Sequence, residues 1–305
     1  MAKVLIATDQ PFAPVAVKGI KEIFDTAGYE TVVLEKYGTQ EAFAQAVADV
    51  DALIVRSDKV DAEILDAAKN LKIVVRAGAG YDNLDLEGCT AKGVVAMNTP
   101  GQNSNAVAEL AFGMMVMVAR GFYSGKAGTE LKGKKIGIHA YGNVGQNVGR
   151  IAKGFGMEIY AYDPFMTDEQ IVNAGAIPVA TADELYSTCQ YVSIHTPATE
   201  KTKKSIGYDL VGKMPKGAVV VNTARKEVID EDGLIALMKE RQDIAYLTDI
   251  APDSEEFKQF EGRYFATPKK MGAQTAEANI NAGLAAARQI VDFIENGNCK
   301  YQVNK

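Results

Sequence analysis

Residues 135–155 constrain this 305-residue chain more than any other stretch. A short apolar run, KIGIH at 135–139, passes through Ala140, Tyr141, Gly142, Asn143, Val144 and Gly145 into a helix-period segment that ends near Phe155. A strand that turns on small residues straight into a helix is the first half of a βαβ unit. Such a unit commits the chain to a parallel sheet covered by helices, and the remaining sequence agrees.

Short apolar runs at 3–7, 31–35, 52–56, 72–76 and 94–97 alternate with helix-period segments at 15–27, 40–47 and 62–68. A long apolar helix is predicted from 105 to about 120. The alternation then restarts, with strands predicted at 135–139, 158–162, 191–195, 218–222, 244–249 and 263–266, and a last helix over 276–296 stopped by Gly297. This reads as two α/β units split near residue 98. No repeat and no low-complexity tract interrupts them. Hydrophobic residues make up 47% and charged residues 24%, which places the chain among globular proteins and away from disorder. The longest apolar runs, such as 111–118, fall short of the roughly 18–20 residues a membrane helix needs. A net charge of −6 argues against a nucleic-acid partner. Cys89, Cys189 and Cys299 lie far apart with no CxxC pair, so neither a structural metal nor a disulfide framework is expected. With no basic start and apolar stretch at 1–10, a reduced cytoplasm is the predicted compartment. The chain has two histidines, so imidazole catalysis would have to use His139 or His195.

The turn at 140–145 has a chemistry of its own. Gly142 lets backbone approach a pyrophosphate, Gly145 allows close packing of helix on strand, and the helix N-terminus supplies a positive dipole. Ala140 stands where the first glycine of the GxGxxG pattern belongs and keeps a small side chain. Eighteen residues past Gly145, Asp163 ends the next strand, where a carboxylate accepts from both ribose hydroxyls and repels a 2′-phosphate. The pattern predicts NAD over NADP, with Asn143 and Val144 inside the same turn. A glycine-rich turn that binds nothing is the plain alternative.

Beyond this motif the chain resembles the D-isomer-specific 2-hydroxyacid dehydrogenases. The likeness is carried by VRSDKVDAEIL (55–65), RAGAGYDNLDLEGCTAKGVVAMNTPGQNSNAVAEL (76–110), GTELKGKKIGI (128–138), YDPF (162–165), SIHTPAT (193–199), VVVNTARKEVIDEDGL (219–234) and GAQTAEAN (272–279). It is strongest to members acting on 3-phospho-D-glycerate. The resemblance implies two Rossmann-like doubly wound domains, the nucleotide domain (99–268) inserted within a substrate domain (1–98 and 269–305), with the active site in the cleft between them. It implies NAD-dependent oxidation of 3-phospho-D-glycerate to 3-phosphohydroxypyruvate, the opening step of serine biosynthesis, by a homodimer joined through the nucleotide domain. Helix 105–120 is the candidate dimer surface, and its apolar face reads equally well as core.

Residue by residue, the resemblance makes Arg225 the clamp for the substrate carboxylate. Gly78, Ala79 and Gly80 would offer backbone N–H groups to the same carboxylate. Thr196, Thr223, Ala224, Asp249, Ala79 and Gly272 match cofactor-contacting positions. Arg56 is the candidate for the phosphate at the far end of the substrate, with Lys59 and Arg76 as weaker choices. Taken alone, each admits a plain reading: Arg225 as a surface arginine, Asp249 as a strand-end turn former, Thr196 as a helix cap, 78–80 as a tight turn.

One departure matters. The family's proton carrier is a histidine, paired with a glutamate five residues after the aspartate at the Asp249 position. Here the stretch reads Thr267, Pro268, Lys269, Lys270, Met271, Gly272. Counting back from Gly272 puts Lys270 in the histidine's place, and counting forward from Pro268 puts Lys269 there. Ser254 stands at the glutamate position, with Glu255 and Glu256 next. Either catalysis is lost, leaving an NAD-sensing binding protein, or a lysine carries the proton, as in some relatives. A glutamate partner would raise a lysine's pKa, so losing both members together is coherent with a lysine base. Chemistry on another 2-hydroxy acid, such as glyoxylate or hydroxypyruvate, is the alternative within the same class. The segment after the last helix is short, so feedback by serine through a C-terminal domain is not expected.

Overall fold

The structure is a computed structural model that describes residues 1–304. The chain divides into two compact units: Met1–Asn103 with the segment from Thr275 onward, and Ser104–Gln274, inserted between them in the chain.

In the first unit, β1 (Lys3–Thr8), β2 (Glu30–Glu35), β3 (Ala52–Val55), β4 (Ile73–Arg76) and β5 (Val95–Asn98) form a sheet in the order β2-β1-β3-β4-β5. Every pairing is parallel. The crossovers are α1 (Pro14–Thr26), α2 (Gln40–Val47), α3 (Ala62–Ala67) and α4 (Leu86–Ala91). Parallel strands are covered on both faces, so they read as unbroken apolar runs rather than alternating ones, and ALIV of β3 is buried at all four positions. Thr39, Asp61 and Asp85 each cap the helix that follows by accepting an N–H bond from its first turn.

The second unit opens with α5 (Ser104–Ala119). Its sheet comprises β6 (Lys135–His139), β7 (Glu158–Tyr162), β8 (Ile177–Pro178), β9 (Tyr191–Ile194), β10 (Val219–Asn222), β11 (Ala245–Thr248) and β12 (Tyr264–Ala266). They lie in the order β12-β11-β10-β9-β6-β7-β8, again all parallel. Between them run α6 (Asn143–Gly154), α7 (Asp168–Asn173), α8 (Ala182–Thr188), α9 (Tyr208–Val211) and α10 (Glu231–Glu240). Both units are therefore doubly wound α/β folds, and the second has the strand order of the dinucleotide-binding class. Ala108, Ala111, Phe112 and Met115 of α5 enter the core of this unit, and Phe112 stacks on Phe155 with ring centroids 5.0 Å apart. No helix among the described residues is long and apolar enough to cross a membrane.

The final helix, α11 (Ala276–Asn296), ends at Gly297 with φ +68° and packs on the first unit, where Ala286, Ala287 and Ile290 join Ile20 and Phe24 in one core. The chain then returns along the edge of β5. Asn304 is 5% exposed and imitates a further strand: its Oδ1 accepts from Ala96 N at 2.7 Å, and its Nδ2 donates to Val94 O at 2.8 Å and Thr90 Oγ1 at 3.1 Å. Removing that amide strands a buried donor and a buried acceptor on β5. Asn304→Ala is expected to lower the unfolding free energy by about 2–4 kcal/mol, read from urea melts. A change under about 0.5 kcal/mol, as for an ordinary surface site, would remove this role.

Candidate active site

The geometry of the second unit starts from strand register. His139 lies opposite Tyr162 on one side and Ile194 on the other, and Asn222 lies opposite Ile194 and Thr248. The next residue of each strand, Asp163, Ala140, His195, Thr223 and Asp249, therefore leaves the sheet at one edge. The strand order reverses between β6 and β9, the switch point at which open α/β sheets bind ligands.

At that point β6 turns into α6. Ala140 has φ +75°, the left-handed region where glycine is usual, at a cost of about 1–2 kcal/mol for a residue with a Cβ. A Cβ on Gly145 would run into the Ala140 carbonyl, so helix and strand approach as closely as they do because Gly145 has none. Above Gly142 the space is open, with nothing within 4 Å of where a Cβ would stand. Gly142 is the N-cap of α6 and brings no side chain to its first turn, so the Asn143 and Val144 end of the helix presents its amides and its dipole. Gln146 Nε2 donates to Tyr141 O at 3.0 Å, and the buried Tyr141 hydroxyl donates to Ala174 O at 2.9 Å, which pins the turn from below. Asp163 Oδ2 accepts from Tyr141 N at 2.8 Å and Oδ1 from Phe165 N at 2.9 Å, which orients the carboxylate at the strand end.

The two histidines lie on this unit and neither is poised for proton transfer near neutral pH. His139 is 8% exposed, with Nδ1 3.3 Å from the Tyr186 hydroxyl and its ring against Tyr162 and Tyr186; burial pushes its pKa down to about 4. His195 places Nε2 2.9 Å from Ser193 Oγ and is pushed to about 3, by burial first and then by His139. Thr196 is buried, with Oγ1 3.4 Å from His139 O.

Asn222, Thr223, Ala224 and Arg225 form the next strand-end turn. Asn222, fully buried, accepts from Ala224 N at 3.0 Å and donates to Arg225 O at 2.9 Å. The Ala224 carbonyl then receives two cations: Arg225 Nη1 at 2.9 Å and Lys270 Nζ at 3.1 Å. Beside them Asp249, also fully buried, accepts from Gly272 N at 2.7 Å through Oδ2. Burial raises the Asp249 pKa, opposed by the Gly272 N–H and by the charges of Lys270 and Arg225. Ala224, Arg225, Asp249, Lys270 and Gly272 are thus brought together. Lys269 and Lys270 are both exposed, but the Lys269 carbonyl takes the Thr267 hydroxyl at 2.8 Å and no hydrogen bond among the described residues joins Lys269 to this group. Glu255 pairs with Lys258 and Glu256 with Lys239, the latter at 2.7 Å, while Ser254 caps a 3-10 turn. Asn222 is the site residue that sequence reasoning missed; its signal is an amide closing a run of three valines.

The same edge fits NAD. Thr223 Oγ1 and Asp249 Oδ1 are buried without a hydrogen-bond partner among the described residues, and such orphans call for a ligand or water. Together with the open turn at Gly142 and the strand-end Asp163, they supply partners for amide, pyrophosphate and ribose. Gly142, Asn143, Val144 and Gly145 would hold the phosphates, and Thr196, Thr223, Ala224, Asp249 and Gly272 the nicotinamide half.

In the first unit, Arg56 follows β3 at the switch point between β1 and β3. Its Nη1 donates to Gln10 O at 3.0 Å and Pro11 O at 2.9 Å, its Nη2 to Asn279 Oδ1 at 2.7 Å, and its guanidinium covers the Phe12 ring at 5.1 Å. Burial lowers its pKa, countered by Asp58. Lys59 pairs with Asp61 at 3.7 Å and is largely exposed. Arg76 donates to Arg56 O at 2.9 Å. The 78–80 turn departs from expectation in one respect. Gly78, at φ +156°, spends its N–H on Arg76 O at 2.9 Å, because the chain folds back there in a tight turn. Its carbonyl takes Thr99 N at 2.9 Å, and the Ala79 carbonyl takes Asn98 Nδ2 at 2.6 Å. The amides left for an anion reduce to those of Ala79 and Gly80.

Residues 106–259, about half of the chain, match the D-isomer specific 2-hydroxyacid dehydrogenase, NAD binding domain. The chain belongs to the D-isomer-specific 2-hydroxyacid dehydrogenase family and carries its NAD-binding domain. It is 35% identical to a hydroxypyruvate reductase of Thermotoga maritima over 86% of this chain and 90% of that one. It is also 35% identical to a D-3-phosphoglycerate dehydrogenase of Methanocaldococcus jannaschii over 83% of this chain, spanning about half (51%) of that longer protein. A crystal structure of NAD+-bound 3-phosphoglycerate dehydrogenase from Entamoeba histolytica superposes with a TM-score of 0.88, at 52% identity and covering 100% of this chain and 99% of that one.

The buried imidazole of His139 makes stability depend on pH. In the unfolded chain it takes a proton near pH 6.5, whereas the folded protein resists to about 4, so the unfolded state binds more protons across that window. Stability is full above pH 6.5 and falls toward pH 4, by on the order of 3 kcal/mol for this group. His139→Gln is expected to flatten the pH dependence of the unfolding free energy by that amount. Parallel curves for variant and wild type would mean that His139 titrates alike in both states.

Proposed function

We propose that this chain oxidises 3-phospho-D-glycerate to 3-phosphohydroxypyruvate with NAD, the first step of L-serine synthesis, using Lys270 as acid and base. The observation that carries the chemistry is the meeting of Arg225 and Lys270 on the Ala224 carbonyl, at 2.9 and 3.1 Å. A guanidinium grips a carboxylate through two N–H groups and draws charge from the adjacent C2 oxygen. Neutral Lys270 takes the C2 hydroxyl proton as the C2–H bond breaks and the C2–O double bond forms. When bound, NAD supplies the hydride acceptor, the nicotinamide C4. In the reverse direction the Lys270 ammonium returns the proton to the C2 oxygen.

A free lysine has a pKa of about 10.4; the Arg225 guanidinium on the same carbonyl favours the neutral amine, while the buried Asp249 carboxyl, which interacts with Lys270, favours the ammonium. Glu255 and Glu256, the nearest in sequence to the family's glutamate, are committed to Lys258 and Lys239. The substrate phosphate is assigned to Arg56, whose guanidinium donates to the neutral Gln10 O, Pro11 O and Asn279 Oδ1, with the Asp58 charge nearby. The 52% identity to the Entamoeba enzyme supports this substrate. Similarity to the Thermotoga hydroxypyruvate reductase supports a second reading, reduction of an unphosphorylated 2-oxo acid.

NADH oxidation with phosphohydroxypyruvate, compared with hydroxypyruvate, glyoxylate and pyruvate, decides between them. Phosphohydroxypyruvate is expected to give the highest kcat/KM, and Arg56→Ala to lower that value while sparing hydroxypyruvate. Equal losses on both would move the assignment to the unphosphorylated acids. NADH binding with no turnover on any of the four would make the chain an NAD-binding protein without dehydrogenase activity. Lys270→Ala is expected to lower kcat by about 100-fold or more, the scale of a lost general base, with Lys269→Ala near wild type. A Lys270→Ala variant that turns over normally ends the lysine mechanism.

A further inference from the structure

A lysine that replaces a histidine inherits a positioning problem. An imidazole is rigid and is oriented by the bond its second nitrogen makes. A lysine amine rides on a flexible four-carbon stem and reaches a productive place only if something fixes its end. The structure shows a candidate fixture. Asn222 is 0% exposed and closes the VVVN strand β10, a position where an amide costs local β propensity. Its Oδ1 accepts from Ala224 N–H at 3.0 Å and its Nδ2 donates to Arg225 O at 2.9 Å, so one side chain holds the peptide groups on either side of the Ala224 carbonyl. The Tyr246 hydroxyl lies 3.5 Å from the same Nδ2. The Ala224 carbonyl, flanked by those two held peptide groups, is the one on which Lys270 Nζ rests, 46 positions away in the chain.

We propose that Asn222 is a positioning residue for the proton carrier, acting through the Ala224 carbonyl to fix the Lys270 amine beside Arg225. This rests on the reading of Lys270 as acid and base. A carbonyl suits the task better than a carboxylate, because it orients an N–H without adding the full negative charge that would hold the ammonium protonated. After Lys270 loses its proton, a remaining N–H still donates to Ala224 O, and the nitrogen lone pair points away from that bond. Arg225 shares the Ala224 carbonyl with the amine, and the Asp249 carboxyl feels the charges of both.

The test uses the full chain with NADH and phosphohydroxypyruvate, or whichever 2-oxo acid proves fastest. Asn222→Ala is expected to lower kcat by about 100-fold, the scale of a misplaced catalytic group, with NADH affinity by fluorescence close to wild type. Its kcat–pH profile should have a displaced limb, which a merely structural defect would not produce. Asn222→Asp keeps the acceptor for Ala224 N–H and loses the donor to Arg225 O, so its kcat should fall between the two. In a Lys270→Ala background, adding Asn222→Ala should cost little more, because the two act as one unit. Losses that multiply in the double variant overturn the proposal, as does a variant whose only defect is a raised KM for the oxo acid, which would assign Asn222 to Arg225 alone. If Asn222→Ala loses NADH binding altogether, Asn222→Asp decides: wild-type kcat with an unmoved pH limb overturns it. Normal turnover by Lys270→Ala instead marks failure of the underlying reading, a separate result.

Discussion

Parallel register is the constraint on which the site of the second unit depends. Because His139, Tyr162, Ile194, Asn222 and Thr248 lie in one row across β7, β6, β9, β10 and β11, the residues that follow them emerge along one edge. A parallel sheet ends all its strands in the same direction, so one line of strand ends carries the turn at 140–145, Asp163, Thr223 and Asp249. An antiparallel arrangement would send every second strand end to the opposite side and scatter them. The apolar cost of this order is visible in the sequence. β9, β10 and β11 are buried at every position.

Within that edge, electrostatics distinguishes this chain from the family pattern. Its two imidazoles are kept neutral by burial and serve as packing groups around Tyr162, Tyr186 and Ser193. Two cations share one carbonyl instead of a histidine sharing a proton with a carboxylate. In the proposed mechanism the lysine is the member of the pair that would move a proton. The buried Asp249 balances the pair, and its unpartnered Oδ1 is a polar atom that the fold leaves for something outside the protein chain.

Much of this was legible in the residues. Alternating apolar runs and helix periods located β6, β7, β9, β10 and α11, because parallel strands and long amphipathic helices write strong periodicities. α4 (Leu86–Ala91) and β8 (Ile177–Pro178) were not legible: six residues and two residues are too short for a period, and β8 exists by pairing with Tyr160 and Ala161 at a sheet edge. The phosphate turn and Asp163 were legible because their spacing is local. The use of the Gly78 N–H was not, since it depends on how the chain turns back on Arg76. Asn222 sits in the 219–234 motif with no role legible from sequence, because an amide at a strand end has no meaning until its two partners are placed.

The sequence by itself determined the fold class, the parallel sheets, the NAD-type dinucleotide turn, and that imidazole catalysis would be confined to His139 or His195. These follow from period, spacing and count, which are properties of the chain in one dimension. Only the tertiary structure separated Lys270 from Lys269. The two are neighbours in sequence with identical chemistry, and counting from either side of the motif names a different one. What distinguishes their surroundings is the Ala224 carbonyl, which lies 3.1 Å from Lys270 Nζ. A hydrogen bond is directional and short, so that choice depends on three-dimensional placement and could not be made from the order of residues.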